Sequence, residues 1–482
     1  MKKTLLSLTA ALAAFTLCAD HTEFFDAGDF DTKAPYGSGA NGISVGGNST
    51  KTWNEKEGTV KIALKPGKSG AIALFRLNGT TRLICSLDIT IRAKMRGMGK
   101  VRFEFSENPK SKAHSRTVTL TEKWQDLTLQ LPSTEGDATL LILRLMGENA
   151  WVELDRLSVR SCHDETLIQA PVGALVVKPE STVPPQIFTA APMDVKGKFC
   201  RHDEVGDKHL ETPAETLEGK VAYPAFSAAA DGHHRIVFTT GGSNAVRDVI
   251  VAPAAEVDAL NAAAKKVDLK GKPMRILYLA DSLTDYNRHR NHPAILAGLL
   301  AQYNPGKVMF HNAACGGDQN ARIAARLADR GVYRGYMYDE LWKRKYDVII
   351  LFLGQNDTVA FKESNYTKPQ FSIAKVDSAM RTIIATVKKH NPGARIIITS
   401  GVSTPVSKNP AYHFGVPELV EAYNECAAKV AKETGAEYLD YYTPMKAIPE
   451  EEKVKLFVAD RVHLSPAGHR YIALKTLEYL GR

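Results

Sequence analysis

The chain of 482 residues is short of the features that mark several protein classes. Its six cysteines, Cys18, Cys85, Cys162, Cys200, Cys315 and Cys426, include no Cys-x-x-Cys pair, which argues against a zinc site or a dense disulfide framework. No apolar run reaches the roughly 20 residues that a membrane-spanning helix needs. No block of Lys and Arg with interleaved aromatics occurs. The 62 basic and 53 acidic residues are interspersed, so a formal charge of +9 is a mild excess and nucleic acid is not an expected partner. Long low-complexity tracts are absent too, and 44% hydrophobic with 24% charged residues is ordinary for a folded protein.

The first residues, MKKTLLSLTAALAAFTLCAD, combine a basic start (Lys2, Lys3), an apolar run from Leu5 to Leu17 and small residues at the end. That pattern predicts a secretory signal peptide over 1–19 and export to the periplasm or the extracellular space. Lipid anchoring at Cys18 is the less favoured alternative, because the bulky Leu17 fits a lipoprotein site badly. Cleavage after Ala19 would leave five cysteines and a net charge of +7. Export permits a bridge, and Cys85 with Cys162 is one candidate, but spacing does not set connectivity.

A chain of this length calls for two or three domains. Over 20–162 apolar residues recur at every second position, as in Val60, Ile62 and Leu64, in Leu87, Ile89 and Ile91, in Val101, Phe103 and Phe105, and in Leu127, Leu129 and Leu131. Short strands with Gly, Pro, Asn and Asp between them and no helix predict a β-sandwich or jelly roll. Its last segment, AWVELDRLSVRS (Ala150 to Ser161), resembles the closing strand of jelly-roll carbohydrate-binding modules. Tyr36 or Trp53 would then be candidates to stack on a sugar, with a core position as the alternative for each.

The stretch 163–255 reads as a small β-rich, Ig-like or spacer domain, with ALVVK (Ala174 to Lys178) and HRIVFTT (His234 to Thr240) as strands. The adjacent His233 and His234 would point to opposite faces of a strand, so a solvated turn is expected there rather than a metal site. A linker helix is expected over 256–273. From Met274 the pattern changes. RILYLADS, KVMFHNAA, DVIILFLG, ARIIITSG and AEYLDYY are five buried-strand candidates, alternating with amphipathic stretches such as Lys375 to His390 and Pro417 to Glu433. Near-continuous Val, Ile and Leu predict a parallel sheet with both faces covered, an α/β three-layer sandwich over 274–482.

Four motifs fall at the carboxyl ends of these strands, where open α/β sheets bind ligands. LADSLTD places Ser282 where the first strand turns into a helix; HNAACGGD offers Gly316 and Gly317 for close backbone approach; FLGQNDT offers the Asn356 amide as a donor. In ADRVHLSPAGHRYIA, Asp460 stands three residues before His463, so the carboxylate can orient the imidazole. Each alone is an ordinary cap, turn or loop residue. In order and spacing the four resemble the blocks of the SGNH hydrolases, also called GDSL-like esterases and lipases, over the last 210 or so residues.

The resemblance implies a catalytic triad of Ser282, His463 and Asp460 and an oxyanion hole from Ser282, Gly317 and Asn356, with no metal or cofactor. It departs from the family at Ala280, where Gly is usual before the Asp of the first block. The implied activity is carboxylic ester hydrolysis through an acyl-enzyme. An acylated glycan is the expected partner, and O-deacetylation of a polysaccharide or glycoconjugate the expected reaction. The association of export, β modules and a hydrolase suggests both. A lipid or lysophospholipid esterase is the alternative, against which stand the polar loops Tyr286 to His292 and Phe361 to Gln370. In the first of these Tyr286, His289 and Arg290 would face an acidic sugar or simply solvent. A catalytically silent glycan-binding protein is the reading from another class.

Overall fold

The computed structural model describes residues 23–28, 43–54, 56–76, 83–84, 88–106, 115–131, 137–138, 140–162, 168–169, 172–181, 188–189, 196–202, 211–217, 232–240, 243–285, 290–328, 338, 341–363, 367, 369–405 and 417–482. The signal-peptide region with Cys18, as well as Tyr36, Cys85, Tyr286 and His289, lies outside the described residues, as do the side chains of Cys162 and Cys200. Cys315 and Cys426 are buried free thiols.

The N-terminal region is antiparallel throughout. Nine strands hydrogen-bond into one sheet around two long ones, Asp88–Ser106 and Leu140–Cys162, which pair with each other along most of their length. Burial explains how a single sheet encloses a core. Along the first long strand Ile89, Ile91, Ala93, Met95, Val101 and Phe103 are buried, all at odd positions. Along the second, burial runs Leu141, Leu143, Leu145, then Ala150, Val152, Leu154, then Leu157, Val159. Each change of parity coincides with a register shift, between Met146 and Trp151 and between Leu154 and Arg156. Bulges bend the sheet there and keep the apolar set pointing inward. Gly97 permits the close approach at this bend, since a Cβ would stand 2.1 Å from the Trp151 carbonyl. Trp53 is half-buried against this core.

A five-stranded mixed sheet follows, ordered Leu175–Val177, Ser243–Val251, Gly232–Thr240, Lys196–His202, Glu211–Leu217, with the first pair parallel. His233 and His234 sit on a strand of this sheet and are buried, which corrects the expected solvated turn. For His233 pairing across the sheet supplies the reason: its Nε2 lies 2.7 Å from the carboxylate of Asp248, so an acid on the neighbouring strand meets one ring nitrogen.

The third unit has the expected five parallel strands, ordered Val308–Asn312, Met274–Ala280, Val348–Phe352, Arg395–Thr399, Glu437–Leu439. Alternate residues feed two cores. Ile276, Tyr278, Ala280, Ile350, Phe352 and Ile397 join helices Ala254–Lys265, His292–Tyr303 and Pro466–Leu480 on one face. Leu277, Leu279, Ile349, Leu351, Ile396 and Ile398 join helices Asn320–Leu327, Ile373–His390 and Pro417–Thr434 on the other.

The helix expected as a linker is therefore part of the packing, with Val257, Leu260, Ala263 and Ala264 in the first core. So are Val172, Ala174, Val176, Ile250 and Ala252 of the mixed sheet, and the hydrolase core reaches back some way beyond Met274. Contact there is backbone to backbone: the Ala174 N–H donates to the Ala294 carbonyl at 2.9 Å, and a Cβ on Gly298 would stand 1.9 Å from the Ala174 carbonyl. Gly298→Ala should accordingly cost about 2 kcal/mol in urea unfolding, within the usual range for overpacking. The control Gly393→Ala, where a Cβ meets nothing within 4 Å, should be close to neutral. Equal effects of the two would mean that the mixed sheet is not clamped to this helix.

Candidate active site

The order of the parallel strands reverses around Met274–Ala280, the switch point at which open α/β sheets place their ligands. Ser282 opens the short helix Ser282–Asp285 immediately after that strand. Asp281 caps it: its Oδ1 accepts the Leu283 N–H at 3.0 Å, and its carbonyl accepts the N–H groups of Thr284 and Asp285. The Ala280 methyl is fully buried in the first core, so the departure from glycine is absorbed by packing. Beyond Val308–Asn312 the turn carries Gly317 with φ +81°, a left-handed conformation that suits glycine. Asn356 lies in the first turn of helix Gln355–Glu363, directly after Val348–Phe352 and the loop.

Hydrogen bonds draw these three strand ends together. Asn356 Nδ2 donates to Asp281 Oδ2 at 3.2 Å and to the Asp318 carbonyl at 3.1 Å, so both amide hydrogens are engaged. The Gly316 N–H donates to Asp285 Oδ2 at 2.7 Å. Beneath them a buried ion pair joins Arg326 to Asp318.

The fourth motif is shaped by its own loop. A bridge between Phe457 and Leu464 closes it, the Val458 N–H donates to the His463 carbonyl at 2.9 Å, and Arg461 turns the chain at φ +58°. Ser465 then caps helix Pro466–Leu480 by accepting the Gly468 N–H. Within this loop Asp460 Oδ2 stands 2.6 Å from His463 Nδ1, while Asp460 Oδ1 accepts the backbone N–H groups of Val462 and His463 at 2.8 and 2.9 Å. Burial pushes the Asp460 carboxyl up, but these hydrogen bonds outweigh it and hold the group below the usual carboxylate range. His463 also lies near enough to Asp281 for its charge to favour that carboxylate.

Several residues around the site were not foreseen as part of it. Asp281 and Asp357 are buried carboxyls, raised by burial to about 7 and about 6 respectively. His292 and His469, also buried, stack with their Nδ1 atoms 3.4 Å apart, one as donor and one as acceptor. Burial pushes His292 down to about 3, so this pair is neutral and His292 Nε2 is left to bond Thr284 Oγ1 at 3.3 Å. The aspartates sit inside the quoted motifs, and Asp357 directly follows Asn356; the histidine pair brings together residues 177 apart and had no local signal. Among the described residues no group of three or more His, Cys, Asp or Glu side chains is placed to hold a metal ion.

Residues 281–471 match the model of the GDSL-like lipase/acylhydrolase family. The C-terminal half of the chain is a GDSL-like (SGNH) hydrolase domain. Solved structures similar to it include an acetylxylan esterase, Axe2, from Geobacillus stearothermophilus, at 19% identity over 44% of this chain and 95% of that one, with a TM-score of 0.35. A GDSL-like lipase from Parabacteroides merdae is 16% identical over 44% of this chain and 99% of that one, with a TM-score of 0.36. A lipase/acylhydrolase from Enterococcus faecalis is 15% identical over 43% and 95%, with a TM-score of 0.34. Comparison with curated proteins gives no match. The GDSL-like family is one of serine ester hydrolases, and the region before the domain has no family assignment.

The buried carboxyl Asp357 gives a pH test of this geometry. Its folded value of about 6 exceeds the ordinary 3.8, so the folded chain keeps a proton that the unfolded chain has lost between those two pH values. Stability contributed by this group therefore falls as pH rises from about 4 to about 6, and the penalty is full above that. Asp357→Asn keeps an acceptor for the Asn320 N–H and side-chain amide, which donate to Asp357 Oδ2 at 3.3 and 3.0 Å. The melting temperature of the variant relative to the parent should rise across that window and level off above it. A difference that is constant or shrinks with pH would show that Asp357 is ionised throughout.

Proposed function

We propose that the chain is an exported carbohydrate O-acetylesterase in which Ser282 is the nucleophile, His463 the general base and Asp460 its orienting carboxylate. The observation that carries the reading is the Asp460–His463 pair at 2.6 Å, held by a closed loop whose imidazole bears electrostatically on Asp281, the residue before Ser282. A serine hydroxyl is a weak nucleophile until a base takes its proton. With Nδ1–H bonded to Asp460, the His463 ring keeps Nε2 free of a proton for that task, and the carboxylate stabilises the imidazolium that forms.

Attack on the ester carbonyl forms a tetrahedral intermediate whose oxyanion would take hydrogen bonds from the Ser282 and Gly317 backbone N–H groups and from Asn356. Removing one such donor typically costs about 2.7 to 4 kcal/mol of transition-state stabilisation. Asn356 has both hydrogens engaged before substrate arrives, so one of its two bonds, to Asp281 or to Asp318, is exchanged for the oxyanion during reaction. His463 then returns the proton to the leaving alcohol, and water releases the acyl group by the same route in reverse.

Three features of the sequence support a short acyl group on a glycan. The loops after Ser282 and after Asn356 are polar, a β-rich region of unassigned family precedes the hydrolase, and the basic, apolar start supports export. A lipid esterase would need a long apolar wall instead.

Ser282→Ala should lower kcat on a soluble acetyl ester by about three orders of magnitude or more while the melting temperature is kept. Asp460→Asn should cost less than His463→Ala, and the double variant should be no worse than the worse single one, since the carboxylate acts through the imidazole. Additive losses would separate the two residues. Across acyl esters of increasing length, kcat/KM should be highest for acetyl; a preference for chains of about eight carbons or more would transfer the reading to a lipid esterase.

A further inference from the structure

Tryptophan and cations stand together on one outer face of the nine-stranded N-terminal sheet. Arg92, Lys94 and Arg96 occupy alternate positions of strand Asp88–Ser106, opposite the buried Ile91, Ala93 and Met95. The Arg96 guanidinium lies 4.7 Å from the Trp124 ring centroid and the Lys94 ammonium 5.6 Å from it. On the adjoining strands the Lys61 ammonium lies 4.1 Å from the Trp151 ring centroid. Strand spacing and register put the backbones of Trp124 and Trp151 about 12 Å apart, a distance that a short oligosaccharide spans.

In two ion pairs of this face the cation stands further out than the acid. Glu153 pairs with Arg96 at 2.9 Å, and its side chain is 9% exposed against 33% for the arginine. Asp155 pairs with Lys94, at 24% against 43%. Glu153 also accepts the Thr59 hydroxyl at 2.7 Å, so it is spent within the sheet. Glu153 and Asp155 thus brace their cations from below; Asp126, across from Lys94, is exposed, and against it Arg92, Lys94, Arg96 and Lys61 leave the face an excess of positive charge. A solvated strand face has little reason to expose an indole, yet Trp124 is 37% exposed and Met98, on the same face, 39%.

We propose that this face binds a uronic-acid polysaccharide. A pyranose ring lays its C–H face on an indole, and its carboxylate, fixed to the same ring, then falls beside Arg96 or Lys94 at Trp124 and beside Lys61 at Trp151. Neutral glycans would use the indoles and leave the cations idle. The inference deepens the glycan reading above by naming the class of polymer, and the binding is independent of the ester chemistry.

The test is affinity electrophoresis of the full chain carrying Ser282→Ala, at about 0.15 M salt, through gels containing polygalacturonate, xylan or heparin. Polygalacturonate should retard the protein and xylan should not. Trp124→Ala should weaken the retardation about tenfold, and Arg92→Gln with Lys61→Gln should do the same, with unchanged far-UV circular dichroism. The same substitutions in the chain with Ser282 intact should leave hydrolysis of a soluble acetyl ester as it was. Absence of retardation by polygalacturonate, equal retardation by xylan, or tighter binding to heparin would each overturn the assignment. Loss of the binding claim with ester hydrolysis intact leaves the esterase reading standing, and the reverse result leaves the binding face standing.

Discussion

The amide of Asn356 is the point at which three strand ends of the parallel sheet meet. One hydrogen reaches the carboxyl of Asp281, which caps the helix that starts at Ser282; the other reaches the carbonyl of Asp318, one residue beyond Gly317. Moving any one of the three loops would break a bond in the other two. Because Asp281 and Asp318 are both buried, a lost partner there cannot be replaced by bulk water, which makes the arrangement stiff. The residues proposed to hold the oxyanion are therefore placed by the same bonds that close the end of the sheet.

That arrangement concentrates negative charge. Asp281, Asp285, Asp318 and Asp357 are all buried within the loops around Ser282. Each has a specific offset: backbone N–H groups for Asp281 and Asp285, Arg326 for Asp318, and both donors of Asn320 for Asp357. For Asp281 and Asp357 the offset is incomplete, and burial raises both carboxyls towards neutrality. A neutral Asp281 weakens its hold on the Asn356 amide compared with a carboxylate, which would ease the proposed exchange of that bond for an oxyanion.

Much of this was legible from the sequence, and the reason is locality. The five parallel strands were visible because each is a continuous apolar run ending in a turn, and helix Ile373–His390 because its apolar residues repeat along one face. The residues of the candidate site were visible because Ser282, Gly317, Asn356 and the Asp460, His463 pair each carry a local motif at such an end. What escaped was non-local. Nothing near Ala254–Lys265 says that it packs against a helix some 200 residues later, as the Arg470–Glu256 pair at 2.6 Å does. His233 reads as solvated until strand pairing brings Asp248 beside it. In the N-terminal region alternation announced strands, but the parity changes at Trp151 and Arg156 belong to bulges that only the pairing reveals.

The mixed sheet and the helix after it close one face of the hydrolase layer, since a parallel sheet needs cover on both sides and Val172, Ala174, Val176, Ile250 and Ala252 supply part of it. Those residues are thus bound to the hydrolase layer by packing, and a unit cut at Met274 would expose that core. The nine-stranded sheet differs. Among the described residues its core cluster shares no member with the other two, so its outer surface can change without disturbing the core of the hydrolase layer. A rigid site made of strand ends has few ways to choose among large substrates, whereas an independently packed sheet has a whole face for that purpose. On the proposed function, selection of the polymer falls to the N-terminal sheet and selection of the acyl group to the loops after Ser282.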